Sequence, residues 1–366
     1  MQYKGGAWNE IFITIGTKLG VMLAVKLTGL EEMEIVDIDK PSKITPDEVL
    51  LKVKYVGVCG SDVHYYNEGK IGSQVVEYPF MVGHECSGKV VAKGENVTHV
   101  EVGDLVAVDP SIHCGHCEQC LAGRHHTCLN NRFLGCPGQA EGCLTEFIVM
   151  PGFCCFPVTD LMDAEEAALL EPFTIGVYSV NHAHIKSTGA KIAIFGAGPI
   201  GLSIMMKLLA DGYKHIGVVE PLDYRLEKAG EIGATWLINP VTESVENRVK
   251  LLAPNQLDVI FDASGEQQAI DEALRIIKPG GKLVLVGIPQ SAQYIFDMDL
   301  MRRKEVTVIN VRRQNHSVEE AIQLVASRKV NLRQMVTHYF QLRKTPVAFD
   351  LVSGYRDNVI KAMVVI

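Results

Sequence analysis

No run in this 366-residue sequence is apolar enough to cross a bilayer: the uncharged stretch Ile192 to Met206 is broken by three glycines and a proline, and it falls short of the roughly 20 residues a spanning helix needs. A secretory leader is lacking too. The first 21 residues hold only the short run Ile11 to Ile15, preceded by Glu10, with no basic segment leading into a long apolar core. A cytoplasmic chain with no membrane partner is predicted. Positive charge is scarce, with 35 Lys and Arg against 43 Asp and Glu; nucleic acid and anionic lipid attract a basic face, so neither is an expected partner. Internal repeats and low-complexity linkers are missing as well.

What is present describes a folded protein of two domains: 47% hydrophobic and 21% charged residues, over a length too great for one ordinary core. Ten cysteines stand out. They are too clumped for a secreted disulfide scaffold, and in a reducing compartment clustered cysteines read as metal ligands.

From Met22 to about Pro172, strand-sized runs such as LLKVKYVGV, SGKVVAKG and DLVAV lie between glycines and charges, and predict a β-rich domain. From about Lys191 strands and helices alternate, as in KIAIFGAG, PIGLSIMMKLLADG, HIGVVEP and YRLEKAGEIGA, up to a sixth strand at Val306 to Val311. Such alternation predicts an α/β fold with a doubly wound parallel sheet. The tail ends in IKAMVVI, a strand with no helix partner, which is expected to return to the first domain. The predicted division is therefore residues 1–180 with 312–366 for one domain, and 181–311 for the other.

Gly196-Ala197-Gly198-Pro199-Ile200-Gly201 follows the apolar run Ile192 to Phe195 and opens a helix. In such a turn the first glycine permits the bend, the second admits a pyrophosphate to the backbone, and the third lets helix and strand pack closely. The free N–H groups of the helix start face the phosphates. Glu220 ends the next apolar run, where a carboxylate accepts from the adenosine ribose hydroxyls and repels a 2′-phosphate, so NAD is preferred to NADP. Gly196, Gly198, Pro199, Ile200, Gly201, Glu220 and Arg225 form the expected cofactor set.

Cys114-x-x-Cys117-x-x-Cys120-x7-Cys128 can wrap one tetrahedral zinc with no open position, the pattern of a structural site. An iron–sulfur cluster competes, since cysteines at this spacing also suit one; zinc is preferred beside a nicotinamide site. His113, His116, His125 and His126 crowd the same loop and are read as a solvated face. A second signal is dispersed over Cys59, Gly83-His84-Glu85 and Glu171-Pro172. A thiolate, an imidazole and a carboxylate brought together would hold zinc and leave a position for water or substrate. Taken singly, each residue also has an ordinary structural reading: a small buried thiol, a core histidine, a helix-starting carboxylate.

At these residues the chain resembles the zinc-dependent medium-chain dehydrogenases, from Met22 to Ile366. Gly83-His84-Glu85-x2-Gly88-x5-Gly94-x2-Val97 fits that family's zinc signature, and CGSDVHYYNEGKIGSQVVEYPFMVGHECSG is most similar to its polyol branch of sorbitol and xylitol dehydrogenases. The resemblance implies a GroES-like catalytic domain, a Rossmann domain, NAD, and two zinc ions per chain, one catalytic and one structural. It further implies that Cys59, His84 and Glu85 bind catalytic zinc and that Glu171 holds the zinc-bound water or exchanges onto the metal. Ser61 and His64 then relay the proton of a secondary alcohol that is oxidised to a ketone. Tyr65, Glu171 and Arg312 form the expected substrate set for a polyol or sugar-like molecule, with Tyr66 the alternative to Tyr65, and Asp62 orients its neighbours. A homotetramer or homodimer is implied.

Two departures qualify the match. The first 21 residues lie outside it, either as an appended strand or helix or because the true start lies downstream, and Arg312-Arg313 stands where the polyol branch often presents Arg-Tyr. An extra cation there suits an acidic or phosphorylated sugar, or simply faces solvent. Cys136 and Cys143 carry no functional reading beyond burial. L-threonine 3-dehydrogenase, a butanediol-type dehydrogenase and a non-enzymatic, crystallin-like NAD-binding protein are the competing functions.

Overall fold

The computed structural model describes residues 13–14, 20–289 and 293–366, and two large sheets of different pairing organise them. A hairpin of β1 (Val21–Gly29) and β2 (Glu32–Asp39) leads into strands β3 (Glu48–Gly57), β4 (Glu85–Lys93), β5 (Leu105–Val108), β6 (Phe147–Pro151) and β7 (Cys155–Pro157). Helix α1 (Gly60–Glu68) interrupts them between β3 and β4. At two points the backbone approaches closely: a Cβ on Gly94 would lie 2.1 Å from the Pro46 carbonyl oxygen, and one on Gly88 3.1 Å from that of Lys52. This is the physical need behind the glycines of the zinc signature.

Helix α2 (Ala164–Ala183) leads out of this lobe. Asp163 caps it, its carboxylate accepting from the backbone N–H groups of Glu165 and Glu166. The second sheet follows: β8 (Lys191–Phe195), helix α3 (Pro199–Ala210), then β9 (His215–Val219), β10 (Trp236–Ile238), β11 (Leu257–Asp262), β12 (Ile277–Leu285) and β13 (Thr307–Asn310). All pair in parallel, in the order β10-β9-β8-β11-β12-β13. Burial on both faces explains why β8 reads as an unbroken apolar run. The strand order reverses beside β8, which puts the Gly196 turn at the crevice where such sheets bind ligands.

Two last strands, β14 (Val336–Gln341) and β15 (Lys361–Val365), belong to the first sheet, whose order is β7-β5-β4-β3-β15-β14 with β6 pairing the N-terminal half of β3. The last strand thus returns to the first lobe and lies against β3. Ile13–Thr14 pairs antiparallel with Lys43–Ile44; the rest of the N-terminal segment, expected to be an appended strand or helix, lies outside the described residues apart from Gly20 and Val21.

Helix α2 packs on β4 and β5 on one side and on α3 on the other, so it couples both lobes. The approach to α3 depends on Gly176, where a Cβ would stand 2.6 Å from the backbone carbonyl carbon of Ser203. Gly176→Ala should therefore wedge the helices apart and destabilise the protein by about 1–3 kcal/mol, read as a lower urea midpoint; an unchanged midpoint would show that the α2–α3 contact yields freely.

Candidate active site and metal centres

Four sulfurs converge on the loop between Cys114 and Cys128. Sγ–Sγ distances are 3.5 Å for Cys114–Cys128 and Cys117–Cys120, 3.8 Å for Cys117–Cys128 and 4.0 Å for Cys114–Cys120. Thiolates at about 2.3 Å from one tetrahedral centre lie about 3.8 Å apart, so the set fits a zinc ion. Backbone N–H groups of Cys114, Leu129 and Asn130 already donate to these sulfurs. Local N–H donors hold the Cys114 thiol down at about 5, while burial pushes Cys120 up to about 12. Left-handed glycines at 115 and 123 let so short a loop fold back on itself.

The histidines of this loop are not all solvated. His116 is exposed, but His126 is buried and hydrogen-bonded to the Tyr178 hydroxyl at 3.2 Å, and His113 stacks on His125 with ring centroids 4.0 Å apart. With Phe153 and His316 they line a cavity of about 150 Å³. Gln314, Asn315 and His316, distant in sequence, pack against this side of the loop and take His113, His125 and His126 out of full solvation, while His116 keeps the expected exposure.

The second cluster joins Cys59, His84 and Glu85, whose ligand atoms lie within 4.8 Å of one another. Cys59 caps α1, and His84 and Glu85 stand at the start of β4. Gly83, with φ 98°, makes the turn that aims both inward. Asp62, fully buried on α1, accepts from the Gly83 backbone N–H and lies 3.2 Å from His84 Nδ1. This commits Nδ1 to a carboxylate and leaves Nε2 for the cluster, the arrangement that orients metal-bound imidazoles. Burial disfavours the charged imidazole, but Asp62 and Cys59 outweigh it and raise the His84 pKa. A donor set of thiolate, imidazole and carboxylate fits zinc and leaves a coordination position open.

Glu85 has a partner that sequence reasoning missed. Lys361 on β15 is buried and donates to the Glu85 carboxylate and to the Val58 carbonyl oxygen at 3.0 Å. Gly57 makes room for the pair, since its Cβ would fall 2.1 Å from Glu85 Oε2. Nothing in IKAMVVI marks Lys361 as more than a strand residue. Glu171, half-buried on α2, faces the same charges; burial pushes its carboxyl up to about 8, with His84 and Lys361 opposing and Glu85 adding to the shift. Ser61 Oγ donates to Cys59 Sγ at 3.3 Å and does not cap α1. His64, one turn on and a quarter exposed, pairs with Glu68 at 3.5 Å.

The two tyrosines of α1 separate. Tyr65 donates to Gln74 Oε1 at 3.2 Å and lies 3.7 Å from Cys136 Sγ, whereas the Tyr66 ring packs edge-on against Phe349. Cys136 is thus more than filler, and Cys143 is fully buried. Of the paired arginines Arg312 is exposed, while Arg313 turns inward over the Phe133 ring.

In the parallel sheet Gly196 takes φ 95°, and a Cβ on Gly201 would strike the Gly196 carbonyl oxygen at 1.9 Å. Over Gly198 a Cβ would meet only Arg225 Nη1 at 3.6 Å, so the backbone is open to a ligand there. No side chain caps α3, with Pro199 and Ile200 in its first turn, and its leading N–H groups are free for phosphate. Glu220 is buried after β9 and accepts from the backbone N–H groups of Ala197 at 2.7 Å and Leu222 at 3.0 Å, which fixes its carboxylate beside the glycine turn. Arg225 reaches the Val359 carbonyl at 3.5 Å, and its Nε is buried without a partner.

Removing one member of a buried ion pair strands the other charge. Lys361→Met should lower the stability of the metal-free chain by about 3–5 kcal/mol, and adding Glu85→Gln should recover most of that loss; denaturant melts of both variants decide it, and a harmless single substitution would contradict the pairing.

Comparison with known proteins agrees with this architecture. Residues 45–160 match the family model described as "Alcohol dehydrogenase GroES-like domain", and residues 199–327 that described as "Zinc-binding dehydrogenase". A sorbitol dehydrogenase of Bacillus subtilis is 35% identical over 344 residues, covering 94% of this chain and 97% of that one. A D-xylulose reductase of Saccharomyces cerevisiae is 32% identical over 355 residues, covering 92% and 99%. The solved structure of an Escherichia coli oxidoreductase/dehydrogenase of unknown specificity superposes with a TM-score of 0.89 at 31% identity, over 94% of this chain and 99% of that one. With its GroES-like lobe, its parallel dinucleotide sheet and relatives of this similarity over nearly full length, the chain belongs to the zinc-dependent medium-chain dehydrogenases, in their polyol branch.

Proposed function

We propose that this protein oxidises a secondary alcohol of a polyol or sugar-like substrate to a ketone, passing hydride to NAD. The observation that carries the reading is the presence of two unlike donor sets in one lobe: a closed set of four thiols, suited to structure, and an open set of Cys59, His84 and Glu85, suited to chemistry. Similarity to sorbitol dehydrogenase and D-xylulose reductase supports the substrate class.

Zinc at the open set supplies Lewis acidity that lowers the pKa of a bound hydroxyl, and NAD supplies the hydride acceptor. The protein's own groups do the rest. Asp62 holds the His84 ring in one tautomer, and Lys361 restrains Glu85. Glu171 faces the cluster, where it receives a hydrogen bond from the water or alcohol that enters. Ser61 stands beside Cys59, and partly exposed His64 opens to solvent one turn further along α1; together they carry the released proton outward. Tyr65 bounds the substrate. Gly196 makes the turn, Gly198 admits the pyrophosphate with Arg225 beside it, Gly201 lets the helix pack closely, and Glu220 takes the adenosine ribose. A catalytic lobe of residues 1–180 and 312–366 and a dinucleotide lobe of 181–311 share this work. The protein acts in the cytoplasm as a homodimer or homotetramer; among the described residues no helix is long and apolar enough to cross a membrane.

Elemental analysis should find about two zinc ions per chain, and Cys59→Ala should abolish NADH formation from polyols while leaving the fold and NAD binding. Cys117→Ser should lose the other ion together with thermal stability. An active Cys59→Ala enzyme would sink the catalytic assignment. Glu220→Ser should shift cofactor preference toward NADP, measured as the ratio of kcat/KM for the two cofactors; an unchanged ratio removes Glu220 from the ribose site.

A further inference from the structure

Arg313 follows β13 at the point where the chain crosses back to the catalytic lobe, and it adopts a left-handed backbone, φ 54°, that an arginine seldom takes. Strain of this kind persists where surroundings hold it, and it gathers at functional sites. Here it turns the side chain inward. The guanidinium lies 3.6 Å from the centroid of the Phe133 ring, and the His84 ring stands 5.3 Å from that same ring, so the cation and the Cys59–His84–Glu85 cluster share an aromatic neighbour. With the Asn131 amide nitrogen turned to the Ile112 and Arg132 carbonyls, its oxygen accepts from Arg313 Nη1 at 2.6 Å.

What the cation lacks is an anion. Among the described residues it takes part in no ion pair with a carboxylate. Asp109 and Glu171 act on it only through space, and Asp109 is already engaged by the Ser111 N–H at 3.0 Å and by Gln314 Nε2 at 2.6 Å. Burial, with Arg312 next to it, brings its pKa down to about 10, the mark of a charge that its surroundings leave under-compensated. The guanidinium offers five donors in a planar fork, and the protein uses few of them.

We propose that Arg313 receives an anionic group of the alcohol substrate, a carboxylate or a phosphate, so that the enzyme acts on acidic sugar derivatives in preference to neutral polyols. The inference rests on the polyol-oxidation reading and narrows its substrate class. Arg313 lies over Phe133 and acts through space on Tyr65 and Glu171, the residues expected to meet substrate beside the open metal set, and there the anion anchors the end of the substrate remote from the reacting carbinol. Planar, bidentate recognition of carboxylate or phosphate is what a guanidinium does better than any other side chain.

The test uses the zinc-loaded full chain with NAD and a matched set: a hexitol, the corresponding hexonate and the corresponding hexitol phosphate. One anionic member should exceed the hexitol in kcat/KM by tenfold or more, and which one does so separates carboxylate from phosphate. In Arg313→Gln that selectivity ratio should collapse by about 10–100-fold, chiefly through KM, while Arg313→Lys should keep part of it. A purely structural arginine would lower all three substrates together and leave the ratio alone. If the neutral hexitol is oxidised best and the ratio is the same in Arg313→Gln, the anion site is wrong and polyol oxidation stands. If no member reduces NAD, the underlying reading fails, and calorimetric titration of the zinc- and NADH-loaded chain with the hexonate and the phosphate then decides the subsite: binding weakened in Arg313→Gln upholds it, and no binding to the unsubstituted protein overturns it.

Discussion

The buried pair of Glu85 and Lys361 ties the open metal cluster to the last strand of the chain. Two unsolvated charges in a lobe made largely of valine, leucine and glycine are tolerable only together, and only if their remaining lone pairs and protons are satisfied. Lys361 meets that condition through the Val58 carbonyl, and Gly57 meets it by omitting the side chain that would part them. The pair requires β15 to lie against β3. The crossing of the chain from β13 back to the first sheet follows from this, and with it the position of residues 314–319 against the four-cysteine loop. A buried ion pair contributes little to net stability, yet it strongly penalises arrangements that leave either charge alone, and so it selects one topology.

Glycine sets the second constraint. At Gly94 against Pro46, Gly176 against Ser203 and Gly201 against Gly196, any Cβ would overlap backbone. The three contacts hold together the β lobe, the interface between the lobes and the dinucleotide turn. Overpacking of a backbone contact cannot be relieved by rotating a side chain, so these positions fix how closely their elements approach. Helix α2 profits most, because it packs on both lobes and carries Glu171 toward the metal cluster.

Much of this was legible in the chain. The four-cysteine loop is local, and its spacing alone brings four sulfurs within reach of one ion. The GAGPIG turn is local as well, since strand, glycines and helix start are contiguous. That a doubly wound parallel sheet would form followed from the alternation of strand-like and helical segments, but the order of its strands did not. Dispersed groups were legible only as types: Cys59, His84 and Glu171 each had an ordinary reading until the resemblance joined them. Lys361 was illegible, being an interior strand residue whose partner lies 276 positions away. His116 is exposed as expected, but His113, His125 and His126 were misjudged as solvated because the segment that meets them, from Gln314 to Glu319, follows the last strand of the parallel sheet.

Arg312 and Arg313 show the limit most plainly. The sequence presents two adjacent cations, and periodicity cannot say which one enters the site, because neighbouring residues point apart and the backbone beyond β13 follows no regular repeat. A left-handed φ at Arg313 decides it, and that conformation comes from long-range packing rather than from local propensity. By itself, then, the sequence determined the chemistry available: two sets of donors able to hold zinc, a glycine turn of dinucleotide type and a carboxylate at the end of the next strand, all written in short spacings or residue types. Only the tertiary structure decided which charges meet, with Lys361 on Glu85, Asp62 at His84 and Arg313 over Phe133. Pairing buried charges is a matter of ångströms in space, and the chain's order carries no measure of that distance.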